Sequence, residues 1–154
     1  MAGEPNGDVA AARGGNLAIG KAAALAGVST RTLRYYEQLG LLTPSARTSG
    51  GARRYSPGDV ARLLRIRELQ SLMGFNLTDI QPILTAEDRL HSLHQEFHAE
   101  TPGERKRDIV LEAMAVTENL RAQVAEKLDR VRTFLATLDE KAGRYQAYLD
   151  QDTE

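Results

Sequence analysis

The sequence predicts a mostly α-helical protein, with a small β-hairpin in its N-terminal half and a long helix at its C-terminus. Two short segments with helical spacing, joined by a glycine-containing turn, come first. The turn signal "TSGG" then separates two short basic segments, which is typical of a hairpin. In the last third of the chain, apolar residues recur at alternating steps of four and three, which predicts a long helix with a continuous apolar stripe.

Composition restricts the class of protein. The 154 residues include no cysteine, which excludes disulfides and thiolate metal sites. No apolar run approaches the ~18 residues of a membrane span, so we expect no membrane partner. Residues 1–16 are small, polar and glycine-rich, and they predict a disordered tail. This start also lacks the apolar centre of a secretory signal, and we expect a cytoplasmic protein.

Charge is divided unevenly along the chain. Residues 17–84 contain nine Lys and Arg against four Asp and Glu, whereas residues 85–154 contain ten against fifteen. A basic N-terminal half predicts a domain that binds a polyanion, joined to an acidic part with another role. Chance scatter of charge remains an alternative explanation.

The two N-terminal helical segments predict a helix-turn-helix. The first lies in "LAIGKAAALAGVS" and ends at Gly27, which suits a left-handed turn. Ser29 is placed as the N-cap of a second helix over Thr30–Gln38, and Gly40 ends that helix. In this motif the N-terminal part of the second helix enters the DNA major groove.

We expect the second helix to contact DNA directly. Thr30 and Arg31 lie at its N-terminal end, where base edges are within reach. Arg34 and Tyr35 follow, and their donors suit phosphate oxygens. Two alternatives stay open: Tyr35 and Tyr36 could be core residues with satisfied hydroxyls, and the arginines could simply be solvated.

The basic hairpin predicts a wing beside this motif. "TSGG" separates a segment that carries Arg47 from one that carries Arg53 and Tyr55. A basic hairpin in this position is placed to touch the DNA backbone or the minor groove. Two more helices follow, one capped by Ser56 and a short one capped by Asn76 in "NLTDIQPIL".

These segments together resemble the MerR-type transcription regulators of bacteria. The specific pieces are "GVSTRTLRYYE", "RRYSPGDV" and "MGFNLTDI", and the resemblance identifies residues 17–85 as a winged helix-turn-helix DNA-binding domain. One departure is Ala52, where the family often has an aromatic residue. The resemblance implies a homodimer that binds a two-fold element in double-stranded promoter DNA and distorts it for RNA polymerase. The DNA-binding residues then expected are Ser29, Thr30, Arg31, Arg34, Tyr35, Tyr36, Arg47, Arg53 and Tyr55.

Residues 102–154 predict a coiled-coil dimerisation helix. Thr101 and Pro102 give a helix start, and ten of the twelve heptad positions from Val110 to Leu149 are apolar. Such a stripe needs a partner helix, although a long helix packed on its own domain remains an alternative. The resemblance implies antiparallel pairing with the same helix of a second subunit. The expected dimerisation residues are Val110, Met114, Val124, Leu128, Val131, Leu135 and Leu138.

The connector, residues 86–101, holds all three histidines. His94 and His98 are four residues apart, a spacing at which two imidazoles can bind one metal ion, and His91 lies on the same stripe. Without thiolates such a site suits Zn²⁺, Cu²⁺ or Ni²⁺. The alternatives are ordinary histidines that fringe an apolar face, or an interface that responds to pH.

The leading hypothesis is therefore a dimeric, sequence-specific transcription regulator. An enzyme is not expected, because there is no cysteine, the histidines share one stripe, and no phosphate-binding glycine loop is present. Two alternatives keep the same DNA-binding fold. One is a regulator that responds to a metal ion, and the other is an architectural protein that binds DNA without responding to a signal.

Overall fold

The computed structural model describes residues 17–99 and 102–151. It is mostly helical, with a small N-terminal sheet and a long C-terminal helix, which confirms the predicted fold class. The tail predicted over residues 1–16 and the cap predicted at Thr101 lie outside the described residues. The chain divides into two compact units between Thr85 and Ala86.

The described residues form three strands and five helices. No helix among them is long and apolar enough to cross a membrane. In chain order the elements are β1 (Leu17–Ala18), α1 (Ile19–Ala26), α2 (Thr30–Gln38), β2 (Ala46–Arg47), β3 (Arg53–Tyr55), α3 (Pro57–Ser71), α4 (Leu77–His98) and α5 (Gly103–Gln151).

Helices α1 and α2 form the predicted helix-turn-helix. Gly27 ends α1 in the left-handed region at φ 65°, and its N–H donates to carbonyls of the last turn. The Oγ of Ser29 accepts a hydrogen bond from the N–H of Thr32 at 2.9 Å, which confirms the predicted N-cap. A residue outside the motif also holds the turn: Nη1 of Arg67 on α3 donates a hydrogen bond to the carbonyl oxygen of Ala26 at 2.7 Å.

The predicted hairpin is present and belongs to a three-stranded antiparallel sheet with the order β1-β3-β2. Arg47 lies opposite Arg53, and Leu17 lies opposite Tyr55. The segment "LAIGKAAALAGVS", in which the first helix was predicted, begins with a short strand that was not predicted. Ala18 is extended, and Leu17 buries its side chain as a strand residue against Tyr55.

The caps of α3 and α4 are as predicted, but α4 is longer. Ser56 forms a capping box at the start of α3, and Asn76 Oδ1 accepts from the N–H of Asp79 at 2.8 Å. Helix α4 continues through Pro82 to His98, so the short helix and the connector form one element. Proline removes one helical hydrogen bond, that to the carbonyl of Thr78, and Thr78 is exposed to water.

The core of the first unit lies between the sheet and the helices α1, α2, α3 and the start of α4. It contains no buried polar or charged residue apart from tyrosines, within the part of the chain that the structure describes. Its fully buried side chains include Leu33, Leu41, Tyr55, Leu63, Ile66, Leu69 and Ile80.

In the second unit, the end of α4 and the start of α5 form an antiparallel helical hairpin. Arg105 Nε donates to Glu96 Oε1 at 2.7 Å, and Arg89 Nε donates to Glu112 Oε1 at 2.6 Å. The hydrogen bond from Arg105 lowers the pKa of Glu96. Leu93 is buried on this hairpin. Beyond residue 120, every described residue of α5 except one lysine is exposed.

Candidate nucleic-acid interface

Helix α2 buries one side and exposes the other. Leu33 and Tyr36 face the core, with 0% and 4% of their surface exposed. The opposite side lines a shallow depression of about 760 Å³. Its lining combines two guanidinium groups with hydroxyl and amide groups, which suits both base edges and phosphates. The lining residues are Thr30, Arg31, Thr32, Arg34, Tyr35 and Gln38.

Four of the predicted DNA-binding residues thus share one surface: Thr30, Arg31, Arg34 and Tyr35. Tyr35 is 48% exposed, so its ring and hydroxyl are available. Sequence reasoning missed Thr32 and Gln38 on the same surface. Gln38 could have been found, because it is seven residues, or two helical turns, beyond Arg31.

Ser29 has a positioning role in this arrangement. Its Oγ accepts the N–H of Thr32 and lies 2.8 Å from the Thr32 hydroxyl. The Ser29 hydroxyl is therefore hydrogen-bonded within the first turn of α2. Ser29 fixes where this helix begins, and hence which residues its N-terminal end presents.

Tyr36 is a core residue, and the expectation that it holds a phosphate does not fit its position. Its hydroxyl donates to Gln70 Oε1 on α3 at 2.7 Å. Burial raises the pKa of Tyr36, and the nearby charge of Arg67 partly opposes this effect. The side chain has neither the surface nor the free hydroxyl that a phosphate contact needs.

Tyr55 is likewise buried, with 0% of its surface exposed, so it is not available to DNA either. Its hydroxyl donates to the carboxylate of Glu37 on α2. Burial, and then this hydrogen bond, raise the pKa of Tyr55 well above its usual value of 10.0. The tyrosine joins the wing strand β3 to α2.

The wing arginines occupy two different environments. Arg53 Nε lies 2.7 Å from Glu37 Oε2, and 38% of the Arg53 side chain stays exposed. Arg47 is exposed, and its Nη1 donates to the carbonyl of Gly51 at 3.2 Å across the hairpin turn. Both guanidinium groups are therefore held at the sheet while remaining in contact with solvent.

The connector histidines do not form a complete metal site. His91 Nε2 lies 2.9 Å from Gln95 Nε2, and the rings of His94 and His98 are in edge contact at 4.4 Å between centroids. Among residues 17–99 and 102–151, no group of three His, Cys, Asp or Glu side chains is placed to hold a metal ion. Two imidazoles alone do not complete a zinc or nickel coordination shell.

The predicted dimerisation residues form an exposed apolar stripe along α5. Each of the seven is more than two-fifths exposed, from 43% at Leu138 to 63% at Met114. Aromatic residues extend the exposed apolar surface at Phe134, Tyr145 and Tyr148. The helix has 49 residues, which corresponds to roughly 70 Å at ~1.5 Å per residue. A stripe of this length is well beyond the apolar patch that a monomer usually exposes.

Comparisons with known proteins agree with this geometry. The model of the MerR HTH family of regulatory proteins matches residues 17–87. A mercuric resistance operon regulatory protein from Pseudomonas fluorescens is 36% identical over 111 residues, which cover 72% of this chain and 74% of that protein. The HTH-type transcriptional regulator YfmP from Bacillus subtilis (strain 168) is 29% identical over 116 residues, which cover 75% and 81%.

One solved structure is similar to this chain over most of the length of both proteins. It is the crystal structure of a protein from Listeria monocytogenes that is assigned to the MerR family of transcriptional regulators. The TM-score is 0.54 at 25% sequence identity, and the match covers 90% of this chain and 92% of that chain.

Proposed function

This chain belongs to the MerR HTH family of regulatory proteins, and we propose that it controls transcription as a homodimer bound to a two-fold element in promoter DNA. The chain is a transcriptional regulator of the MerR type. The observation that carries the proposal is the exposed, basic face of α2 on a helix-turn-helix. Residues 17–85 form the DNA-binding domain, 86–101 the connector and 102–154 the dimerisation part.

Helix α2 reads bases from its N-terminal end. Thr30 and Arg31 are exposed there, next to the capped first turn. A guanidinium group can donate two hydrogen bonds to one guanine, and a hydroxyl can bond to any base. Arg31 is therefore the residue that contributes most to sequence preference.

Phosphate contacts come from α2 and from the wing. Arg34 and Tyr35 lie further along α2, and Arg47 and Arg53 lie on the wing. Tyr36 and Tyr55 are left out of this set because their hydroxyls are bonded inside the core.

Helix α5 supplies the dimer. Its apolar stripe is exposed in one chain and repeats at heptad spacing, so a second copy of the same helix can cover it. The pairing is antiparallel, as family membership implies. Two DNA-binding domains are then held on one duplex and can distort the promoter for RNA polymerase.

Fluorescence anisotropy with the DNA upstream of this chain's own gene tests the proposal. We expect saturable binding that is tighter than binding to a shuffled duplex and that weakens steeply with salt. Equal affinity for both duplexes would contradict sequence-specific regulation. Transcription in vitro from the same DNA then separates a regulator from an architectural protein, since only a regulator changes the amount of transcript.

A metal-responsive regulator of the same fold is the second candidate, supported by the contact between His94 and His98. The two rings offer two ligands for Zn²⁺, Cu²⁺ or Ni²⁺, and a second copy of the chain would have to supply the others. Calorimetry of the dimer with each ion tests this, with His94→Ala as the control. No heat beyond that of the variant would remove this candidate.

A further inference from the structure

A second, smaller depression lies beside the exposed face of α2. Its volume is about 240 Å³. Arg34 lines both depressions, so the two adjoin at this residue. We call the smaller one the arginine notch. Its lining residues are Ala18, Ile19, Arg34, Ala52, Arg53 and Arg54.

The arginine notch carries positive charge that the protein does not neutralise. Arg53 is paired with Glu37, which balances one of the three charges. Within the described ranges, neither Arg34 nor Arg54 forms an ion pair. Guanidinium groups that share a small cavity repel one another, and an anion in the cavity would turn this repulsion into attraction.

Arg54 carries a hydrogen-bond donor that is not satisfied within the described residues. Its Nε is buried and has no hydrogen-bond acceptor among the described residues. A buried donor without an acceptor costs free energy, and such a group in a native structure needs an explanation. An anion in the notch would not contact this buried atom, but its charge would stabilise the guanidinium group as a whole.

The start of α1 contributes to the same notch. Ala18 and Ile19 line it, and Ala18 is the N-cap residue of this eight-residue helix. Within residues 17–99 and 102–151, no side chain caps the helix, and its first turn contains no acidic residue. The positive end of the helix dipole therefore favours an anion at this point.

We infer that the arginine notch binds a phosphodiester group of the DNA backbone, and that Arg54 is a phosphate-binding residue. The inference rests on the proposed function, because the notch adjoins the surface of α2 that reads the duplex. It adds one defined contact outside the helix-turn-helix: α2 fixes the base register, and the notch fixes a flanking phosphate.

Neutralising Arg54 tests this contact. In Arg54→Gln, the slope of log K against log salt should fall by ~0.9, which is the effect of one lost phosphate contact. A fall in slope of this size corresponds to about fivefold weaker binding at ~0.15 M salt, and the loss should be equal for the operator and the shuffled duplex. Arg54→Lys keeps the charge and should keep the slope. Arg130→Gln on α5, which removes an exposed arginine paired with Glu126, is the matched control.

The phosphate itself can be identified with duplexes that carry a single uncharged methylphosphonate. We expect one position at which the substitution weakens wild-type binding but has little effect on Arg54→Gln. Equal responses of the two proteins at every position would overturn the inference. If Arg54→Gln does not fold, Arg54→Met, which also removes the charge but keeps an unbranched side chain, is compared with the wild type across the same duplexes.

Three further outcomes can be distinguished from one another. Saturable, Arg54-dependent binding of inorganic phosphate in the absence of DNA would overturn the assignment to a duplex backbone in favour of a free anion. Failure of the wild type to bind any duplex would contradict the proposed function. A wild type that binds its operator while Arg54→Gln keeps the full salt slope would contradict only the notch.

Discussion

The carboxylate of Glu37 lies 2.7 Å from Nε of Arg53, which joins helix α2 to the wing strand β3. The same carboxylate accepts the hydroxyl of the buried Tyr55. The Glu37 side chain is only 10% exposed, whereas that of Arg53 is 38% exposed. A shielded acid on α2 thus sets the position of a wing arginine that remains open to solvent.

Glu37→Gln is expected to weaken DNA binding although it removes a negative charge. The amide keeps an acceptor for Tyr55 but loses the ion pair that orients Arg53. If Arg53 then loses its phosphate, affinity falls roughly fivefold at ~0.15 M salt and the salt slope decreases. Anisotropy over a salt series measures both quantities.

Glu68→Gln is the control for Glu37→Gln, because it makes the same change of net charge on α3 of the same unit. It should leave binding unchanged or strengthen it slightly, as simple charge repulsion predicts. The positioning role of Glu37 is contradicted if both variants strengthen binding to the same extent.

Gly27→Ala is expected to destabilise the N-terminal unit. Gly27 has φ 65°, and an added Cβ would lie 2.6 Å from Nη1 of Arg67. The left-handed conformation alone costs an L-residue ~1–2 kcal/mol. Displacement of Arg67 would also break its hydrogen bond to Ala26. Denaturant unfolding measures the loss, which should be smaller when Arg67→Ala is already present.

Gly20→Ala is the matched control for Gly27→Ala. Gly20 lies inside α1, and nothing approaches an added Cβ within 4 Å. Alanine at this position should stabilise the helix by ~0.5–1 kcal/mol. A Gly27→Ala protein as stable as Gly20→Ala would show that Arg67 and the turn do not constrain the motif.

Tyr55 should make stability depend on pH in the alkaline range. Burial and the hydrogen bond to Glu37 raise the pKa of Tyr55 above its usual value of 10.0. The unfolded chain therefore loses this proton at lower pH than the folded chain. The stability contribution is fully present below about pH 10 and is lost as the pH rises from there towards the folded pKa.

Tyr55→Phe should accordingly lose less free energy of unfolding between about pH 9 and pH 11 than the wild type does. Tyr36→Phe should act in the same direction, because burial also raises the pKa of Tyr36. Urea unfolding at each pH gives the comparison. Parallel pH profiles of Tyr55→Phe and the wild type would show that the tyrosine hydroxyl is not titrated in this way.

Arg31→Ala is expected to relax sequence preference. The discrimination against a changed base pair at the contacted position should fall by ~1–3 kcal/mol, while binding to a shuffled duplex changes little. Anisotropy with the operator and its single base-pair variants measures this difference. Arg132→Ala, which removes an exposed arginine of α5, is the control. Unaltered preference in Arg31→Ala would move base reading to another residue of α2.

The helix-turn-helix, the caps at Ser29, Ser56 and Asn76, and the long C-terminal helix could all be predicted, because each depends on residues close in sequence. Turn glycines and capping side chains act over three or four positions, and helical and heptad spacing are read directly from the chain. The same reasoning predicted only a short helix in "NLTDIQPIL". The helix instead continues to His98, because the one hydrogen bond that Pro82 removes is at an exposed position and does not outweigh the packing of the helix around it.

The roles of Tyr36 and Tyr55 could not be predicted, because their partners are distant in sequence. Gln70 is 34 residues from Tyr36, and Glu37 is 18 residues from Tyr55. Sequence pattern places an aromatic residue on a helix or a strand, but only packing decides where its hydroxyl bonds. The strand at Leu17 was missed for the same reason, since its pairing with Tyr55 is a long-range contact.

Leu128→Glu should separate the dimer. Leu128 lies in the middle of the apolar stripe of α5, and a carboxylate there would be buried without a partner in a paired helix. Thr133→Glu adds the same charge to α5 away from the stripe, where the helix is exposed, and should leave the dimer intact.

The most direct test of the account is the number of chains on one operator duplex, measured by sedimentation equilibrium for the wild type, Leu128→Glu and Thr133→Glu. We expect two chains per duplex for the wild type and Thr133→Glu, and a monomer with little operator binding for Leu128→Glu. A single wild-type chain per duplex, with no higher affinity for the operator than Leu128→Glu has, would contradict binding as a homodimer.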